Sequence, residues 1–93
     1  MYKPQPIDTS EIKLSSEMLE IIEILTKNTH EVWAEQKIKD GWHYAEKTSD
    51  KDMAHSCIKE FEKLSEEEIR YDRNTVTEAI KVLIKMGYKI TKE

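Results

Sequence analysis

The sequence predicts a mainly α fold: a small single-domain helical protein with an extended N-terminal arm and an irregular central loop. Three observations carry this. Apolar residues recur at spacings of three and four in two stretches, 16–40 and 65–87. Gly41 and Gly87, the only two glycines, each follow one of those stretches, where a helix stop belongs. Both prolines, Pro4 and Pro6, lie in the first residues, where they hold the backbone away from helix. Ninety-three residues suit one domain, 1–93, with a modest core and a small margin of stability.

Residues 1–15 read as an ordered extended arm. Asp8-Thr9-Ser10 is a turn or cap cluster, and Ile7, Ile12 and Leu14 are placed to lie over the core. The first helix starts near Ser15 or Ser16, with Ser as N-cap and Glu17 and Glu20 in the first turns. Met18, Leu19, Ile22, Leu25, Thr29, Val32 and Trp33 form its stripe. Unbroken to Lys39 it would be about 36 Å long. Asn28 and Thr29 are poor mid-helix residues, so a kink or restart is expected there. Residues 41–64 read as a loop region, with a turn at Thr48-Ser49-Asp50 and with Cys57, Ile58, Phe61 and Leu64 returning to the core. Ser65-Glu66-Glu67-Glu68 fits a capping box that opens the last helical segment. Ile69, Val76, Ile80, Leu83, Ile84 and Gly87 share its face, and Asp72-Arg73-Asn74-Thr75 suggests a second helix capped near Asn74 or Thr75. Tyr88-Lys89-Ile90 is expected to fold back against the arm.

Composition narrows the function classes. The net charge is −4, with acids and bases interleaved, which argues against a binder of nucleic acid polymers. No stretch approaches the roughly 18 apolar residues of a membrane span, and the N-terminus lacks a signal-peptide core. A single cysteine, Cys57, allows no internal disulfide, so a cytoplasmic location is expected.

Both tryptophans and two of the three histidines fall between Asn28 and Tyr44. On a helix His30 and Trp33 share a face. There His30 can hydrogen-bond a ligand while the indole stacks on it, or His30 satisfies a buried carbonyl beside a core Trp. Trp42 and Tyr44 alternate after Gly41, so in an extended segment they lie side by side with His43 outward. They then clamp a flat ring or close the core over the helix end. Arg73, in Tyr71-Asp72-Arg73, either binds a carboxylate or phosphate bidentately or bridges two helices. The spacing of His30, His43 and His55 matches no compact metal motif, and no cofactor is expected. Cys57 near His55 is a nucleophile pair on paper, but a lone Cys among apolar neighbours is more often packed. With no phosphate loop and no hydrolase or metalloprotease motif, the chain is not expected to be an enzyme.

Together these residues resemble the ryanodine-receptor (RyR) repeat domain. The match runs through Tyr2-Lys3-Pro4-Gln5-Pro6-Ile7-Asp8-Thr9-Ser10, His30-Glu31-Val32-Trp33-Ala34, Gly41-Trp42-His43-Tyr44, Asp50, His55, Leu64, Glu68, Tyr71-Asp72-Arg73 and Gly87-Tyr88. The resemblance implies a compact, mainly helical, non-catalytic module. Such modules occur as tandem pairs in the cytoplasmic part of calcium-release channels and as stand-alone copies in bacterial and phage proteins. It also implies a sensing or regulatory role, with a nucleotide-like ligand in an aromatic-lined cleft. By motif that points to His30, Trp33, Trp42 and Tyr44, with Glu31 and Arg73 as polar candidates. Ala45 stands where the family usually has Gly, Thr48 where it has Arg, and Ser56 where it has Pro. The missing Arg removes an anion partner.

The expected function is therefore a binding module for a small planar, nucleotide-like molecule. The alternative is a protein-interaction or structural module in which the same aromatics serve as core or as anchors for a homodimer or another protein.

Overall fold

The computed structural model describes residues 1–93. Two helices, α1 (Ser16–Lys39) and α2 (Glu66–Lys85), make up the body. Between them lie two short strands, β1 (His43–Tyr44) and β2 (Ala54–His55), and a 3-10 turn at Phe61–Lys63. No helix is long and apolar enough to cross a membrane.

The Ser15 hydroxyl caps α1 by accepting from the Met18 N–H at 3.1 Å. The helix then runs through Asn28 and Thr29 without the expected kink or restart. The weak propensity of those residues amounts to a few tenths of a kcal/mol each. Thr26 and Thr29 turn their hydroxyls back onto the carbonyls of Ile22 and Leu25, at 2.7 and 2.8 Å, instead of competing for the backbone. The stripe also differs from expectation. Ile22, Thr26 and His30 are buried, while Leu19, Leu25 and Val32 face outward. Two of the three inward residues are polar, so a pattern read from apolar residues alone mis-phases the helix.

Both helices end alike. After α1, Gly41 adopts φ +96°, its N–H meets the Ile38 carbonyl at 3.1 Å, and the Trp42 N–H meets Lys37 at 2.9 Å. After α2, Gly87 adopts φ +98°, with Gly87 N–H to Ile84 at 3.0 Å and Tyr88 N–H to Leu83 at 3.2 Å. These are Schellman closures, which need a left-handed residue at the turn. The first of them sends Trp42 back along α1, where the Lys37 ammonium sits 4.4 Å from its ring centroid.

Helix α2 opens on the expected capping box. Ser65 Oγ accepts from Glu68 N–H at 3.1 Å, and Glu68 Oε1 accepts from Ser65 N–H at 2.9 Å. It too continues past the expected break at Asp72–Thr75. Arg73 is tied to both helices there, and Thr77 Oγ1 donates back to the Arg73 carbonyl at 2.7 Å. Ile69 and Ile80 face the core, but Leu83 and Gly87 are exposed.

The two helices pack through Ile22, Ile69 and Ile80, each burial contributing about 1.5–3 kcal/mol. Only eight residues are buried, and the molecule is a flat body of 44 × 40 × 23 Å. The arm is anchored by polar contacts more than by its apolar residues. Thr9 is buried and donates to Glu78 at 2.6 Å, and the Lys85 ammonium donates to the Asp8 carbonyl. Ile7 is exposed, whereas Ile12 and Leu14 are half-buried. Leu14, Tyr88 and Ile90 border one depression, so the tail does lie beside the arm.

The central segment is more ordered than a loop. Strands β1 and β2 run parallel, His43 opposite Ala54 and Tyr44 opposite His55, and Ser49 bridges Ala54 antiparallel. Neither strand was legible as a strand in the sequence, because two residues carry no periodicity.

Candidate functional site

His30, at 2% exposure, faces the loop that follows β2, and its Nε2 lies 2.6 Å from the Lys59 carbonyl. A carbonyl can only accept, so that nitrogen carries the proton. The Trp33 ring lies one turn on. Its centroid is 5.9 Å from that of His30, with the planes 30° apart, and 4.8 Å from that of His55, edge-on. The Trp42 centroid lies 6.4 Å from that of His55, and Phe61 lies 6.1 Å from His30.

A pocket of about 130 Å³ opens beside Trp33. Its lining is His30, Trp33, His55, Cys57, Leu64, Glu68 and Asp72. The Cys57 N–H donates to His55 Nδ1 at 3.0 Å, which leaves the His55 proton on Nε2 when the ring is neutral. The Cys57 thiol donates to Glu68 Oε2 at 3.0 Å. Burial first, and then this carboxylate, push the thiol up to about 11. Cys57 is therefore a protonated donor, and its thiol is directed at Glu68 and not at the imidazole. The same bond, with the Ser65 amide next, holds Glu68 down at about 2, so its carboxylate is ionised at neutral pH. Lys59 joins the two sides of the site, its carbonyl on His30 and its ammonium 4.0 Å from Glu68 Oε1.

The structure brings together some of the sequence-predicted residues and separates others. His30 and Trp33 share the pocket, and Trp42 touches it only through His55. Tyr44 is exposed and borders a different depression with Ile58, Lys59, Glu60 and Lys63. Trp42 lies instead against Lys37 and His55. Glu31 lies on the outer surface of α1 with Asn28, Val32 and Glu35. Adjacent helix positions diverge by about 100°, so Glu31 cannot share the site of His30. Arg73 does not line the pocket. It clamps Glu23 through two bonds of 2.8 Å and reaches Glu66 at 3.2 Å, which is the helix-bridging alternative.

Glu68 and Asp72 were not singled out as ligand contacts in the sequence. Their spacing of four on a helix was the readable signal, since it places both on one face. Two of the departures from the family pattern meet each other outside this lining. Ser56 N–H donates to Thr48 Oγ1 at 3.1 Å, and the two hydroxyls are 3.2 Å apart. A proline at position 56 could not make the first bond.

The architecture defines a small two-helix module with a short-stranded insert and one pocket set against a tryptophan. The chain belongs to the RyR domain family, whose model matches residues 2–92.

Proposed function

We propose that this RyR domain is a non-catalytic cytoplasmic binding module that takes a small planar, nucleotide-like ligand and serves as a sensor or regulatory element. The supporting observation is the half-buried Trp33 ring at the wall of a pocket whose polar groups are imidazoles, carboxylates and a thiol. An indole face gains on the order of 1–3 kcal/mol by stacking on a base, and the polar atoms beside it fix orientation. One stacking wall and a shallow volume correspond to dissociation constants from micromolar to millimolar.

The test is a tryptophan-fluorescence titration with adenine, adenosine, AMP and ATP, on the natural protein and on Trp33→Phe. The phenylalanine keeps a ring against His30 and His55, and Trp42 reports that the variant is folded. A saturable response weakened about fivefold or more in Trp33→Phe supports the reading. A flat response to every member overturns it.

A second reading rests on a separate observation. Leu19, Ile24, Val32 and Ile38 are all exposed on α1, and the radius of gyration is 15.9 Å, against roughly 12 Å for a compact chain of this length. A helix so furnished suits a protein-interaction module, docking a second copy or another protein. Sedimentation that depends on concentration would favour it.

A further inference from the structure

The pocket beside Trp33 has an aromatic wall, two carboxylates one helical turn apart, and no lysine or arginine in its lining. The carboxylates differ in what already holds them. Glu68 is engaged by the Cys57 thiol and the Ser65 amide, with the Lys59 ammonium at 4.0 Å on its far oxygen. Asp72 has neither an ion-pair partner nor a side-chain hydrogen bond, although Arg73 follows it directly. The guanidinium of Arg73 is instead committed to Glu23 and Glu66. The pocket thus presents an unpaired half-buried carboxylate facing space that an indole borders.

Such a site selects by charge. A phosphate inside it would meet two carboxylates, and the nearest ammonium, that of Lys59, lies outside the lining and already faces Glu68. A flat ring carrying positive charge or N–H donors on its edge gains twice, from the indole face and from the carboxylates. We infer that the pocket formed by Trp33, Glu68 and Asp72 receives the amino- or amidine-bearing edge of an aromatic ring, with any phosphate of the ligand left outside. The inference rests on the ligand-binding reading above and names the end of the ligand that enters.

Three probes of nearly one shape isolate the charge: benzamidine, benzamide and benzoate. Each is titrated against ¹⁵N-labelled protein while the Trp33 indole N–H signal is followed, for the natural chain and for Asp72→Asn. That substitution breaks no hydrogen bond, so the fold should survive it. Benzamidine is expected to bind about tenfold more tightly than benzamide, with benzoate weakest. In Asp72→Asn the benzamidine preference should shrink severalfold, with benzamide binding unchanged. Methylguanidinium, with the charge but without an aromatic ring, should bind more weakly than benzamidine. Tighter binding of methylguanidinium would overturn the aromatic assignment and give the site to an arginine side chain. Equal binding of the three ring probes, or a preference for benzoate, would overturn the charge inference. If adenosine still binds through Trp33 in that case, the ligand-binding function survives alone. If no ring compound binds at all, both readings fall together.

Discussion

Arg73 separates a structural role from a ligand-binding one, and its effect on stability can be worked out. Its Nε and Nη2 each lie 2.8 Å from a different oxygen of Glu23, a fork-to-fork pairing across the two helices, and Nη1 adds Glu66 at 3.2 Å. A hydrogen bond between charged groups is worth about 1.5–3 kcal/mol when shielded, and an exposed ion pair about 0–1. The Arg73 side chain is 31% exposed and that of Glu23 52%. Solvent screening therefore brings the coupling down to about 1 kcal/mol. The perturbation is a double-mutant cycle of Arg73→Gln and Glu23→Gln, read by urea denaturation and thermal melting. Arg73→Gln alone should lower Tm by about 4–8 °C for each kcal/mol lost in a domain of this size. Glu23→Gln should then cost much less in the Arg73→Gln background. Binding of ring ligands should stay within about twofold throughout, because Arg73 lies outside the pocket lining. A coupling below about 0.3 kcal/mol would refute the bridging role. So would loss of ligand binding with stability unchanged.

Three further outcomes are expected. The Glu68 carboxyl is held below its unfolded value, so its contribution is fully present above pH 4.5 and is lost as pH falls toward 2. Part of that side chain is solvated, so the contribution is about 1–2 kcal/mol. Glu68→Gln should lower stability at pH 7 by that amount and flatten the dependence between pH 4.5 and 2, followed by urea midpoints. Gly41→Ala and Gly87→Ala should each cost about 1–2 kcal/mol through the left-handed backbone alone. The added methyl meets Met53 only at 3.5 Å in the first case and nothing within 4 Å in the second. A much larger loss at Gly41 would show that space, not backbone, is limiting. His30→Ala removes a buried ring and leaves the Lys59 carbonyl without its donor, at a cost of about 2–4 kcal/mol. His30→Gln, which restores an N–H, should recover part of the loss, and an equal loss in both variants would locate the whole effect in packing.

Much of the scaffold was legible because it is written in local chemistry. Ser15, Ser65 with Glu68, Gly41 and Gly87 each act on a backbone group within a few residues, and each mark lies where the helix begins or ends. The expected breaks at Asn28–Thr29 and Asp72–Thr75 did not form. The propensity cost there is small, threonine hydroxyls turn back onto their own helix, and side chains beside the expected breaks hold distant partners: Lys59 for His30, and Glu23 for Arg73. The site was legible only in part. His30 and Trp33 share a helix face, so spacing found them. His55, Cys57 and Leu64 reach the same pocket from a segment without periodicity, and no sequence pattern shows where such a segment returns. Glu31 was drawn in as the neighbour of His30 and lies on another face of α1, whereas Arg73 was read as either an anion ligand or a helix bridge, and its bonds to Glu23 and Glu66 are those of a bridge.

Ala54 is buried to 3% exposure, and Ser49 exchanges both of its backbone hydrogen bonds with it, at 2.9 and 2.8 Å. The neighbouring Met53 carbonyl accepts from His43 at 3.0 Å. Ala54 and its neighbour Met53 thus form a knot that ties Ser49 and His43 together within the stretch from Trp42 to His55. Regions held by so few bonds open locally, at lower free energy than helix cores. The amides of Ser49, Ala54 and His43 should consequently exchange with solvent deuterium as one unit, ahead of those in the middle of either helix. His55 belongs to that unit, so one face of the Trp33 ring has a lifetime of its own, set by the knot and not by the global stability of the domain.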